Sequence, residues 1–405
     1  MTAVRSVAVA TFVLTVILIA ATPALAAAGD VLGFQAYSQA GSTGTDVAAA
    51  VKVDAAGDPI FTGWWAATSP TREFITCSMT STSAWRWEKH WTGTGGSAFA
   101  YDMALDGSGN AYDVGVTNSP GAGDDNFALV RYLNDGTPSW SREYDGPAGG
   151  NDEASVIACD AAGDCYIAGY SQGADGHNEI ATLKYDSGGT LVWAKRLRSP
   201  WATNLECEGI ALHGGALYFA GSVTHPGHGE DLVVVKYDAF TGTRRWVRYY
   251  DDPLHRSETT ADVVATPTSV YVCGTGRYTS LHKGVALLVR YSASGKRIWA
   301  KTFSGGSRLY DQGFADMQRS PAGDVVTSAY VGRRATGIDM ATVAWRADGS
   351  VHWAHICSSA GMGIDEATAL DIDDGGRVYV VGTLQYVSGF DHLRVICYTK
   401  GGATS

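Results

Sequence analysis

Asp238-Ala-Phe-Thr-Gly242-Thr-Arg-Arg-Trp246 reads as a tight turn followed by a strand that carries a tryptophan. That tryptophan belongs to a series: Trp87, Trp140, Trp193, Trp246, Trp299 and Trp353 follow one another at intervals of 53, 53, 53, 53 and 54 residues. A constant period near fifty marks repeated supersecondary units, each the size of a propeller blade.

The unit ending near Trp193 shows what one period contains. A first strand surrounds Ile157, a turn spans 160–163, and further strands cover 166–170, 180–185 and 191–197. Four consecutive antiparallel strands make one blade. A glycine of the second strand recurs as Gly63, Gly115, Gly169, Gly221, Gly274 and Gly382, with Ser328 or Ala329 in its place in the sixth copy. The last copy stops after its third strand at Tyr398, while residues 31–37 resemble a fourth strand lacking its first three, with Gly33 in frame with the tryptophans. The expected fold is therefore all-β: a seven-bladed β-propeller with four antiparallel strands per blade, its ring closed by the N-terminal strand completing the C-terminal blade and removing the open edge.

Residues 1–5 are basic, 6–20 apolar, and small residues then lead to Ala24-Leu25-Ala26. This is the layout of a secretory signal peptide over 1–26, with cleavage after Ala28 as the alternative, and it leaves 27–405 as a single propeller domain. The expected location is extracellular. A net charge of −11 without a basic stripe argues against nucleic acid and anionic membrane as partners, and no later run is apolar enough for membrane insertion. A monomer is expected, with an extracellular glycan or protein as ligand. Seven cysteines in a secreted chain leave at least one unpaired. Cys159 and Cys165 bracket a hairpin turn and are the disulfide candidate.

Asp160, Gly163, Tyr166, Gly169, Lys184-Tyr185-Asp186, Gly189 and Trp193 make this chain resemble the bacterial seven-bladed β-propeller repeat proteins (SBBP-type repeats) over nearly all of 31–400. The resemblance implies the fold and a secreted or surface protein used for binding or scaffolding, and it supplies no catalytic residues to carry over. Sialidase Asp-boxes place glycine three residues before tryptophan, whereas Gly189 and Trp193 are four apart. Asp238, Thr241-Gly242 and Trp246 also look like a quinoprotein dehydrogenase repeat, but only this copy has the Thr-Gly.

Aligned first strands put Asp102, Asp262 and Asp316 in one column, where other blades carry Ala50, Val156, Gly209 and Ala369, with Lys52 and Asp371 two residues further along. First strands are innermost, so these aspartates are expected to converge near the axis. Such a ring suits Ca²⁺, the one cofactor left open, or a general acid beside an ionised base as in glycoside hydrolysis. A second acidic series, including Asp152-Glu153, Glu206, Glu258 and Asp365-Glu366, recurs at the mouths of the first strands and reads as structural. Loop candidates for ligand binding are His225, His228, His255, Arg256, Arg308 and Tyr310, with Trp201, Tyr278 and Tyr386 as an aromatic rim. The expected function is a binding or scaffold protein that holds a glycan or peptide on the face bearing the blade-connecting loops. The alternatives are a glycoside hydrolase or polysaccharide lyase working through the axial carboxylates and, less favoured, a quinoprotein-like dehydrogenase.

Overall fold

A computed structural model describes strands 14–17 and 34–37 and then residues 47–398, apart from breaks at 69–70, 81–83, 119–123, 199–204, 226–228, 254, 278–283, 305–311, 359–362, 373–374 and 386–390. Among the described residues every regular element is a strand, and no helix is long and apolar enough to cross a membrane. Five four-stranded antiparallel sheets follow one another from Val47 to Phe303. A sixth such unit, from Gln312 to Cys357, is joined by a two-residue parallel pairing to the three strands Gly363–Ile372, Val378–Gln385 and Asp391–Tyr398.

The core is a series of wedges between successive sheets. Leu232, Val233, Val234 and Val235 are all fully buried, because a middle strand faces one neighbouring sheet with alternate side chains and the other neighbour with the rest. Val233 and Val235 pack with Tyr166 and Trp193 of the preceding sheet, while Leu232 and Val234 pack with Val270 and Val272 of the following one. The recurrent residues tie strand to strand within a sheet and sheet to sheet across the wedges. Lys184 lies 5.2 Å over the Tyr166 ring, and Lys236 and Arg290 lie 5.1 and 5.4 Å over Tyr218 and Tyr271. The tryptophan indoles of Trp140, Trp193, Trp246 and Trp299 each donate to a turn carbonyl of the next sheet at 3.1–3.3 Å.

Every first strand carries a β-bulge at the same place, for example between Ala154 and Val156 and between Cys207 and Gly209. The recurrent glycine of the second strand belongs to this bulge. A Cβ on Gly221 would stand 2.0 Å from the Glu206 carbonyl oxygen, so close backbone approach requires the glycine. The residue at the bulge is pushed out of the ladder and re-aimed, which is how bulges shape sites.

Among the described residues the pairing expected to close the ring is not seen. Phe34–Tyr37 pairs antiparallel with Leu14–Ile17, inside the segment read as a leader, rather than with Asp391–Tyr398. The two strands are close in sequence, so their pairing closes a short loop at low entropic cost. Among the described residues no core cluster joins the last sheet to the first. Val51 and Val53 of the first strand Val47–Val53 are accordingly 52% and 55% exposed, whereas Met103, Val263 and Met317, in register with Val51, are buried.

Candidate functional site

The column Asp102, Asp262 and Asp316 immediately follows the bulge in its strands. Asp102 accepts from its neighbour Met103 N at 2.8 Å and, across the wedge, from Ile157 N of the next sheet at 2.9 Å. Asp262 accepts from Val263 N at 2.7 Å and from Met317 N at 3.2 Å. Asp316 accepts from Met317 N at 2.6 Å and from Leu370 N at 2.7 Å. Both oxygens of each carboxyl thus hold main-chain donors, and each aspartate fastens one sheet to the next.

The three share charged neighbours. Burial raises all three pKa values, and the Lys52 ammonium opposes the shift in each. Asp262 is pushed well up by burial and then by the neighbouring charge of Asp316, to which its carboxyl is hydrogen-bonded. Asp262 and Asp316 share one amide donor, Met317 N, and the remaining donors, Val263 N and Leu370 N, serve one carboxyl each. A proton held in this pair, these amide donors and a nearby ammonium form a locked structural element, which weakens the expectation of an axial acid–base pair or calcium ring.

The loop candidates are dispersed. His255, at a positive φ of 52°, pairs with Asp251 at 2.5 Å, and Arg256 Nε donates to Asp252 at 2.6 Å. Asp371 is exposed and caps its own neighbour, Ile372 N, at 2.8 Å. His225 ends the strand Ala216–His225, while His228, Arg308, Tyr310, Trp201, Tyr278 and Tyr386 lie outside the described residues. Cys159 and Cys165 face each other across the hairpin and form a disulfide with Cα atoms 4.2 Å apart. Next to the His255 loop, carboxylate oxygens of Asp231, Asp251 and Glu258 all lie within 4.8 Å of one another, a donor set of hard oxygens. Burial, then the charges of Asp252, Asp251 and Asp231, lift Glu258 to about 8.

The cavity of interest lies between the third and fourth sheets, at the end carrying the blade-connecting loops. It measures about 330 Å³ and is lined by Glu153, Ser155, Tyr170 and Asn178 from one sheet and by Glu206, Cys207 and Glu208 from the next. The first strands Asp152–Cys159 and Leu205–His213 present equivalent positions here, so Glu153 matches Glu206 and Ser155 matches Glu208. The Tyr170 hydroxyl donates to Glu153 Oε2 at 3.0 Å. Ser222 donates to Glu208 Oε1 at 3.3 Å, whereas Glu208 Oε2 is buried without a hydrogen-bond partner. Burial raises Glu208 to about 8, and the charges of Glu206 and Glu230 add to the effect. Glu153 is raised as well, by burial, against its bond from Tyr170.

Glu208 is the residue that sequence reasoning passed over. The bulge position holds Ala49, Tyr101, Ser155, Ala261, Ala315 and Thr368 in the other sheets, so the signal was an acid in one copy of seven. Its meaning depends on the bulge, which no residue pattern announces.

No protein-family model and no curated protein matches the sequence. Solved structures do match in shape. The β-propeller domain of the Trilobed protease from Pyrococcus furiosus, which has an open velcro topology, aligns with 86% of this chain and 92% of its own at TM-score 0.50 and 8% identity. An ulvan lyase representing a new polysaccharide lyase family aligns over 87% and 92% at TM-score 0.50 and 8% identity. The quinohemoprotein alcohol dehydrogenase from Comamonas testosteroni aligns over 88% of this chain and 66% of its own at TM-score 0.51 and 12% identity. At such identities the likeness is one of fold, and the fold is that of a β-propeller.

Proposed function

We propose that the chain is a secreted β-propeller of seven blades that binds an extracellular glycan or peptide on the face bearing the blade-connecting loops. The observation that carries this reading is the pocket between the third and fourth sheets, which gathers Glu153, Glu206, Glu208, Tyr170, Ser155 and Asn178 at that face. Hydrogen-bond acceptors and an aromatic ring set in a concave wall are the means by which sugars and peptides are recognised. In this reading, removal of the leader frees Phe34–Tyr37 to pair with the open edge of the last sheet and close the ring.

A second reading rests on the same pocket. Glu208 is raised to about 8 while the exposed Glu206 lines the cavity beside it, which is the division of labour that a glycoside hydrolase needs between acid and base. Turnover separates the two. Glycan and peptide arrays probed with the full chain are expected to give a ligand that is lost in Glu206→Gln and recovered chemically unchanged. Consumption of the ligand, abolished in Glu208→Gln, would overturn binding in favour of catalysis.

A further inference from the structure

The mouth of the wedge between the first and second sheets carries a cation where the pocket carries acids. Trp64, in the strand Pro59–Thr68, and Arg72, near the start of Thr71–Met79, meet Phe99 of Ala98–Leu105 in the next sheet. Strand register makes these three positions equivalent to Tyr170, Asn178 and Glu206 of the pocket, so they lie at the same end of the molecule, beside the blade-connecting loops. The Arg72 guanidinium carbon is 5.4 Å from the Trp64 ring centroid and 5.1 Å from that of Phe99, and the two rings meet edge to face at 5.3 Å.

The fold does not require a cation at this position. The equivalent residues in the other sheets are Asp125, Asn178, Glu230, Gly284, Ile338 and Asp391, none of them basic. The recurrent cations that lie over a ring also hold an oxygen: Lys184 that of Asp164 at 2.8 Å, Lys236 that of Ala293 at 3.1 Å and Arg290 that of Ser269 at 3.0 Å. Arg72 differs. Among the described residues its guanidinium has two rings and no oxygen: Nε is buried without a partner, and the terminal nitrogens make neither an ion pair nor a hydrogen bond. The acids that could have served it are engaged elsewhere, Glu73 with His90 at 3.0 Å and Asp125 with Asn118 Nδ2 at 2.6 Å. Trp64, Arg72 and Phe99 are each half-buried, so the corner is open to solvent on one side. A guanidinium held in place by rings, with its donors unused, is a preformed seat for an anion.

We infer that this corner binds the carboxylate of a hexuronate residue in an extracellular acidic glycan, with the terminal N–H groups of Arg72 on the two carboxylate oxygens and the C–H face of the sugar against the Trp64 indole. The inference rests on the reading of this face as the ligand-binding one and names a glycan class for it. The planar fork of arginine matches a carboxylate, and an aromatic wall takes the apolar face of a pyranose ring. The net charge of −11 repels anions from the surface at large, so a ligand here must bring apolar contact as well as charge. A bare anion brings no such contact, and an aspartate or glutamate of a peptide carries its carboxylate on a flexible stem with no face for the indole. A uronate carries both on one rigid ring.

The test is titration calorimetry of the full chain at pH 7 and low salt with α-1,4-linked tetragalacturonate and with its fully methyl-esterified form, which has the same rings and no charge. The acid is expected to bind on the order of tenfold more tightly than the ester, as a charge-assisted pair provides. Arg72→Gln should remove that preference and leave the affinity for the ester unchanged. Arg72→Lys keeps the charge and loses the fork; it should lose most of the preference, and it supplies the test should Arg72→Gln fail to fold in urea denaturation. Trp64→Ala should weaken acid and ester alike. Lys296→Gln, the same charge change in an exposed turn at the other end of the fifth sheet, should behave as the parent. Equal binding of acid and ester, parental affinity for the acid in Arg72→Lys, or equal losses in Arg72→Gln and Lys296→Gln would overturn the inference. So would a hexapeptide with a free C-terminal carboxylate that outcompetes tetragalacturonate at this corner. A neutral glycan or peptide held through Glu206, with Arg72→Gln indistinguishable from the parent, would reject the acidic glycan while leaving the binding function of the face intact.

Discussion

Trp193 of the third sheet is seated on Gly242 of the fourth. Its indole donates to the Ala239 carbonyl at 3.3 Å, and a Cβ on Gly242 would lie 2.7 Å from its ring, at a φ of +65°. The same seat recurs for Trp140 on Gly189, Trp246 on Gly295 and Trp299 on Gly349. The glycine and the tryptophan four residues after it therefore serve different wedges: the glycine receives the preceding sheet's ring, and the tryptophan reaches for the next turn. Gly57 also has a positive φ, +81°, but has nothing within 4 Å of its would-be Cβ. Gly57→Ala should cost about 1 kcal/mol from backbone strain alone, and Gly242→Ala about 3 kcal/mol because the Trp193 ring must also move. Urea denaturation of the two variants measures the difference, and equal losses would remove the seat from the account.

Asp113 provides a pH-dependent test. It is fully buried in the second sheet, its Oδ2 accepts the Thr76 hydroxyl of the first sheet, and its Oδ1 has no partner. Burial raises it to about 7, against the hydrogen bonds from Thr76 and Thr62. An unfolded aspartate titrates near 3.9 (about that of model peptides), so between about pH 4 and 7 the folded state holds the extra proton. Stability from this group is full below the unfolded value and is lost as pH rises to the folded value, at up to about 1.4 kcal/mol per pH unit. Asp113→Asn should remove that slope and exceed the parent in stability at pH 8. A difference between the two proteins that stays constant from pH 4.5 to 8 would contradict the buried charge.

The axial aspartates are predicted to act on stability and not on ligand. Asp316→Ala strands the Leu370 amide and leaves Met317 N with Asp262 alone, and Asp102→Ala strands the amides of Met103 and Ile157, so each should cost about 1–3 kcal/mol in chemical denaturation. Peptide or glycan binding at the pocket should be unchanged at a temperature where the variants remain folded. Loss of binding without loss of stability would return the axis to the functional site.

The repeat made the strands, their order and the inter-sheet tryptophans legible, because a 53-residue period and a two-residue strand alternation are both visible in one chain. It also placed Asp102, Asp262 and Asp316 in one column, since register follows from alignment. Their partners were not legible: the amides of Ile157, Met317 and Leu370 come from the following sheet, and main-chain donors leave no residue signature. Glu206 and Glu153 were visible as members of a regular acidic series, and that regularity concealed the two copies that open into a cavity. Closure was inferred from counting strands, but strand counts do not decide between two edges that compete for Phe34–Tyr37.

That competition gives the last prediction. With Leu14–Ile17 present, Phe34–Tyr37 has a partner near in sequence, and Val51 and Val53 remain 52% and 55% exposed, Val51 at a position whose counterparts Met103, Val263 and Met317 are buried. A chain beginning at residue 27 lacks the competing strand, leaving the edge of Asp391–Tyr398, which pairs with no second described strand, as the partner for Phe34–Tyr37. Docking the last sheet against the first would then cover both valines, at roughly 1.5–3 kcal/mol for each side chain fully buried. The chain from residue 27 should therefore be more stable than one from residue 39 by about 3 kcal/mol, with slower hydrogen exchange at Leu393 and Ile396. Equal stability and equal exchange in the two chains would mean that the ring stays open in the mature protein, with the first and last sheets held only through their other neighbours.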